Sequence, residues 1–364
     1  MSAAWFHYSP VRIHGGQGCT ALLENYIGHQ KALLLTSPGL LRRRTTEKLM
    51  TACPSVHWLV RTVPPYPEME HLEHLAAELH QEEPEVLVAL GGGSVIDSAK
   101  ALAAALGEGP AWSLSEHLRE SRACLNSVKP IYCLPTTAGS GAEATPFATI
   151  WDQAEKKKYS LEDPRLYAKA VFLEPKVTIS LPPRETLWGA LDTLSHGLET
   201  LWNKKATPIS LALAREAIAL MSDFLPRAQE NPANLKVRIK MQEASLLGGL
   251  AISQSHSTLA HSIGYPLTLR FGVPHGLASA FTLPALYDLI EERGLWRYAE
   301  DGALAAKAAA LVRGQNLGQL VREYCQPEDV IPLAGRMRSP GRADNFRLNV
   351  GESTVVSILQ KSLK

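Results

Sequence analysis

The apolar positions of this chain follow two different patterns. Up to about Ser180, short continuous apolar runs alternate with helix-forming stretches. Lys31–Thr36, Val56–Val63, Val86–Leu90, Ile131–Leu134 and Ala170–Leu173 are short and apolar enough to be strands buried on both faces. Between them, Arg43–Cys53 and Glu68–Gln81 carry helix formers, and Ser94–Leu106 is an Ala/Leu-rich helix beginning just after glycines. Strand–helix alternation implies parallel pairing through helical crossovers, hence a doubly wound α/β layer. Such sheets bind ligands beyond the carboxyl ends of their strands.

From about Leu181 the strand signal stops. Pro182 and Pro183 suit a helix start. Helical patterns follow over Glu185–Trp202, Pro208–Leu225, Leu235–Leu259, a segment around His275–Ile290, and Leu295–Tyr324. The stretch Ile331–Asn349 is rich in Arg, Gly and Pro and reads as loop, with a closing helix at Glu352–Leu363. The expectation is an α/β domain over residues 1–180 and an all-helical domain over 181–364, without internal repeats.

Composition narrows the function classes. A length of 364 residues favours about two domains. With 37 basic against 36 acidic residues the net charge is +1, which excludes a nucleic-acid binder that relies on a large overall basic excess. Cys19, Cys53, Cys124, Cys133 and Cys325 are odd in number and form no CxxC pair, so a disulfide framework is not expected and a reducing cytoplasm is. No run of 18 apolar residues exists to span a membrane, and MSAAWFHYSP lacks the order of a signal peptide.

Two polar, glycine-rich loops follow predicted strands. The first, Gly91-Gly92-Gly93-Ser94 with Ser94 and Asp97 in the first helical turn, joins a strand end to a helix start. Glycine lets backbone approach an anion, and free helix N–H groups favour negative charge. This is either a pyrophosphate cradle or an ordinary strand-to-helix turn with an N-cap serine. The second, Leu134–Glu143, sets Thr136, Thr137 and Ser140 among Gly139 and Gly141, where hydroxyls can donate to phosphate or carboxamide oxygens. At the end of Lys31–Thr36 stands Ser37, where dinucleotide folds often carry an acid for the ribose 2′-OH, and Arg42-Arg43-Arg44 follow. That combination would tolerate a 2′-phosphate and so NADP; it also fits a solvated basic face.

In the helical half, Asp192 and His196 are spaced i, i+4 and share a helix face. His261 and His275 follow in LAHSIGYP and GVPHGLA. One carboxylate and three imidazoles suit Fe²⁺, Zn²⁺ or another borderline divalent ion with a position left for substrate. Spacing alone leaves ordinary helix histidines as the alternative, and His7, His14 and His256 as rivals.

The ordered set GGGSVID, PTTAGSGAEAT, GALDTLSHGLE and HSIGYPLTLRFGVPHG resembles the iron-containing (group III) alcohol dehydrogenase family over nearly the whole chain. The resemblance implies a Rossmann-like dinucleotide-binding domain and a helical metal-binding domain, the architecture shared with dehydroquinate synthase, with an iron or zinc ion in the cleft between them. It implies Asp192, His196, His261 and His275 as metal ligands, Gly91–Ser94 and Asp97 at the diphosphate, and Thr136, Thr137 and Ser140 as further nucleotide contacts. Lys158 falls where the family often has a cofactor-contacting lysine; a solvated cationic turn is its other reading. Many relatives carry a second histidine four residues after the third ligand. Here that position is Tyr265, whose ordinary pKa near 10 makes it a weaker relay at neutral pH.

The implied reaction is hydride transfer between NAD or NADP and a small aldehyde or primary alcohol, in a homodimer without nucleic-acid or membrane partners. PFATIWD, KKKYSL, ETLWN and HSIGYPLT resemble the phosphonoacetaldehyde reductase branch, which makes 2-hydroxyethylphosphonate. Arg165, Arg184, Arg270, Arg338, Arg342 and Arg347 are candidate phosphonate partners or surface residues. A generic short-chain alcohol or diol dehydrogenase is an alternative. A lyase or cyclase of the dehydroquinate synthase type is another, although that group uses a Glu and two His. A non-catalytic metal- or nucleotide-binding protein is the third.

Overall fold

Apolar runs dictate the sheet. The computed structural model describes residues 4–120 and 124–364, so the first three residues of the N-terminal stretch lie outside it. Its strands are β1 (Arg12–Gly15), β2 (Lys31–Thr36), β3 (His57–Thr62), β4 (Val86–Gly91), β5 (Ile131–Pro135), β6 (Phe147–Asp152), β7 (Lys157–Glu162) and β8 (Ala170–Leu173). Six of them form one parallel sheet in the order β1-β8-β5-β4-β2-β3, and β6 and β7 form a separate antiparallel hairpin. All five expected strands are present. β1 and the hairpin were not expected: RIHG is short and mostly exposed, and in KKKYSL only Lys156, at φ 49°, belongs to the turn, while Lys157 and Lys158 open β7.

The α/β unit comprises residues 9–137 and 142–181. Among its helices are α1 (Thr45–Ala52), α2 (Met69–His80) and α3 (Gly93–Glu108). α3 begins one residue before the expected start, with Gly92 as N-cap and no side-chain cap; Ser94 lies inside the first turn instead. On the same helix Lys100 is fully buried. Its ammonium donates to Ala142 O (2.6 Å), Thr145 O (2.8 Å), Phe147 O (2.8 Å) and Thr145 Oγ1 (3.1 Å), and so ties α3 to the segment leading into β6.

The helical unit comprises the described residues up to Tyr8, Ala138–Gly141 and Pro182–Lys364. Its main helices are α4 (Pro183–Leu201), α5 (Pro208–Glu230), α6 (Leu235–Ser255), α7 (Leu259–Phe271), α8 (His275–Ala280), α9 (Leu283–Glu292) and α10 (Ala299–Arg313). The single helix expected over Leu235–Leu259 ends at Ser255, because His256 turns the backbone to φ 60° and α7 begins afresh. α7 itself was not expected, since Gly264 and Pro266 interrupt its helical propensity. Gly264 is required by packing: a Cβ there would lie 2.6 Å from Ala278 O of α8. Among the described residues no helix is long and apolar enough to cross a membrane.

Candidate active site

α4 presents Asp192, His196 and Glu199 at i, i+4 and i+7, all buried on one face. α7 brings His261 and α8 brings His275 to the same place. The Nε2 atoms of His196, His261 and His275 lie 3.6, 3.5 and 3.7 Å from a single atom, Asp192 Oδ1. Ligand atoms of Asp192, His261 and His275 lie within 4.8 Å of one another, as the donors around one ion would. The rings of His196 and His261 stack with centroids 5.1 Å apart. Ser279 Oγ donates to Asp192 Oδ1 at 3.2 Å and fixes its orientation.

The electrostatics follow from burial and mutual proximity. Burial alone would raise the Asp192 carboxyl, but His196, His275 and His261 outweigh it and hold the group well below the usual carboxylate range. Burial pushes His196 down to about 4, so its imidazole is neutral near pH 7 and a cation meets a lone pair there. His261 behaves oppositely. Burial would lower it, but Glu199 beside it, with Asp192, raises it well above its ordinary value. A carboxylate with imidazoles converging on it, His261 giving up its second proton when a cation binds, is the donor set that a borderline divalent ion selects, and these residues fit one.

The position of α8 depends on Gly276, next to His275. A Cβ there would collide with Trp188 O of α4. Gly276→Ala should therefore displace His275, lowering metal affinity about tenfold or more and stability by about 1–3 kcal/mol. Metal content and a melting curve measured on the same preparation check this; an unchanged pair of values would remove the close approach from the account.

Tyr265, one turn beyond His261, has its ring parallel to that of His275 (6.2 Å, 4°) and edge-on to His261 (6.2 Å). It joins the cluster as a phenol where an imidazole was the family expectation. Glu199 was missed by sequence reading, although the i+7 spacing from Asp192 was its available signal.

Most of the nucleotide candidates lie at the carboxyl edge of the α/β sheet, Lys158 on the β6–β7 hairpin apart. Winding reverses between β2 and β4, the switch point where such sheets bind ligands. Ser37 follows β2, Gly91–Ser94 close β4, and Thr136 and Thr137 follow β5, with Thr36 level with Leu90 and Gly91 level with Pro135. A Cβ on Gly92 would touch the Thr137 side chain at 3.0 Å, so the two loops meet. The N-terminal amides of the 16-residue α3 open at this edge without a side-chain cap.

Several of these groups also have structural partners. Ser37 Oγ caps the helix Pro38–Arg42 through Leu40 N–H, and Ser94 Oγ accepts from Tyr66 N–H at 3.1 Å. Asp97 Oδ2 accepts from Thr149 N–H at 2.9 Å; burial pushes its carboxyl up to about 6, with Lys100 and Lys158 among the groups pulling it back. Arg43 donates to Ser180 and Arg44 pairs with Glu47, which leaves Arg42 as the exposed arginine not engaged this way. Ser140 belongs to the helical unit. There Gly139 packs on Gly189 of α4 and Gly141, at φ 58°, on Gly249 of α6, while Thr193 Oγ1 donates to Gly139 O.

Comparison with known proteins decides the family. Residues 10–175 match the model of the iron-containing alcohol dehydrogenases, and residues 186–326 match the C-terminal model of the same family. The chain belongs to the iron-containing alcohol dehydrogenase family. It is 35% identical over 285 residues to a phosphonoacetaldehyde reductase of Streptomyces viridochromogenes, covering 75% of this chain and 71% of that one. It is 30% identical to a sulfoacetaldehyde reductase of Bilophila wadsworthia, covering 77% and 73%. Among solved structures, a sulfoacetaldehyde reductase of Bifidobacterium kashiwanohense in complex with NAD⁺ superposes with a TM-score of 0.89 at 25% identity, covering 100% and 99%. The chain is thus an oxidoreductase of this family, with the expected parallel-sheet and helical architecture.

Proposed function

We propose that the enzyme reduces a small aldehyde to its primary alcohol with NADH or NADPH, and that Asp192, His196, His261 and His275 hold the divalent ion, iron or zinc. The observation that carries this reading is the convergence of three imidazole Nε2 atoms on Asp192 Oδ1 in a member of this family. A divalent ion held there would supply Lewis-acid polarisation of the carbonyl, and the nicotinamide would supply the hydride. The chain's own residues do the rest. Ser279 orients Asp192, and buried His196 offers a neutral ring. To Tyr265, whose ring stacks on that of His275, we assign the proton that the alcohol oxygen requires, passed directly or through water. Gly91–Ser94, Asp97, Thr136, Thr137, Ser140 and Lys158 bind and orient the nucleotide, with its diphosphate on the amides of α3.

Phosphonoacetaldehyde is the substrate we favour, on the strength of the Streptomyces viridochromogenes relative. Of the six candidate arginines, Arg165 and Arg184 are paired with Asp163 and Glu323, and Arg347 bonds Leu295 O. Arg338 and Arg342 likewise bond Val350 O and Gly341 O, so Arg270, on the helix of His261, remains. A competition of phosphonoacetaldehyde against propanal and butanal should show at least ~10-fold preference in kcat/KM, about 1.4 kcal/mol. A flat profile would return the assignment to general aldehyde reduction.

The serine at the end of β2 and exposed Arg42 favour NADPH. Asp is as good an N-cap as Ser, so Ser37→Asp keeps the helix Pro38–Arg42 intact while adding charge. Its NADPH affinity should fall about tenfold relative to NADH; an unchanged ratio would remove Ser37 from cofactor choice. A cytoplasmic setting suits the scattered cysteines, and a homodimer suits the open edge strand β1.

A further inference from the structure

Glu199 has no exposed surface and lies at the end of the face of α4 that carries Asp192 and His196. One oxygen, Oε1, accepts from Thr258 Oγ1 (2.8 Å), Ala260 N–H (2.8 Å) and His261 N–H (3.3 Å). It thereby serves the start of α7, whose own N-cap Thr258 gives no side-chain cap. The other oxygen, Oε2, bonds His261 Nδ1. An ionised carboxylate only accepts, so Nδ1 carries the hydrogen and Nε2, the nitrogen turned toward Asp192, keeps its lone pair when an ion binds. By contrast, His196 Nδ1 has no hydrogen-bond partner. Only one of these two imidazoles is gripped from behind by a carboxylate.

We propose that Glu199 is a positioning residue for the metal. It fixes the tautomer and angle of His261 and supplies the second buried negative charge that, with Asp192, balances a divalent cation. This inference rests on the metal reading above. Carboxylates behind a metal-bound histidine raise its basicity, and their loss typically lowers affinity 10–100-fold. Glu199→Gln keeps the size but leaves the loaded site one unit positive and loses the charged acceptor. Thr258→Val is the control: it removes another donor to Glu199 and leaves the His261 bond in place.

The measurement is Zn²⁺ affinity by chelator competition, alongside melting curves, for the full-length wild type and both variants. Glu199→Gln should bind Zn²⁺ 10–100-fold more weakly, whereas Thr258→Val should melt lower with wild-type affinity. Equal affinity in Glu199→Gln, or equal loss in Thr258→Val, would overturn the positioning role while leaving the metal site standing. A wild type that takes up no Zn²⁺ would overturn the metal reading and this inference with it. Should Glu199→Gln not fold, ¹⁵N NMR of the wild-type imidazoles in the Zn²⁺-loaded protein decides. A protonated Nδ1 and a metal-bound Nε2 on His261 support the proposal, and the reverse arrangement overturns it.

Discussion

Replacing His261 with alanine should abolish metal retention and turnover together while leaving nucleotide binding intact. The substitution removes one of the imidazoles that converge on Asp192 Oδ1 and strands the buried carboxylate of Glu199 without its ring partner. Losing one partner of a buried pair costs about 3–5 kcal/mol, so the helical unit should also melt lower. Lewis-acid stabilisation is worth several kcal/mol, and each 1.36 kcal/mol is tenfold in rate; a drop in kcat/KM of about 10³ or more is expected. Nucleotide fluorescence titration reports on the α/β unit separately. Surviving activity in metal-free His261→Ala protein would show that the ligand assignment is wrong.

The second large effect lies in the α/β unit. Lys100→Met should destabilise it by about 3 kcal/mol. The hydrocarbon replaces the lysine stem, but Ala142 O, Thr145 O and Phe147 O lose their ammonium donor. A buried orphan acceptor costs about 1–3 kcal/mol, and relief of the ammonium's own desolvation offsets part of the sum. Burial lowers the pKa of Lys100 in the folded chain. The unfolded chain therefore holds this proton more tightly, and wild-type stability should gain from this group as pH rises from the folded pKa toward about 10.4. Lys100→Met should lack that rise. Urea unfolding at several pH values measures both effects; a loss below about 1 kcal/mol with an unchanged pH slope would show that the ammonium is not what holds this segment.

How much of this was legible in the sequence varied with the kind of signal. β2, β4, β5 and β8 are buried along most of their length, so their apolar runs announced them, and β3, half-buried at the sheet edge, still carried enough apolar residues to be read; β1 and the β6–β7 hairpin are partly solvated and carried no such signature. Asp192 and His196 could be paired from helical spacing alone. His261 and His275 could not, because their helices reach the cluster only through close contacts at Gly264 and Gly276, which depend on tertiary packing. Family resemblance supplied those two candidates. Glu199 escaped notice because an acid in a helix usually reads as a solvated residue. Ser94 and Asp97 were legible as residues of a strand-to-helix turn, but not the hydrogen bonds they make to Tyr66 and Thr149, which come from distant loops and strands.

The central claim is that one divalent ion, held by Asp192 and the three histidines, is required for nicotinamide-dependent aldehyde reduction. Its most direct test is a titration of metal-stripped protein with Fe²⁺ under anaerobic conditions. The readout is NADPH and NADH consumption with phosphonoacetaldehyde and with propanal. Activity should rise from near zero and saturate at one ion per chain. Full activity in the stripped protein, or none with either nucleotide and either aldehyde in the loaded protein, would contradict the account.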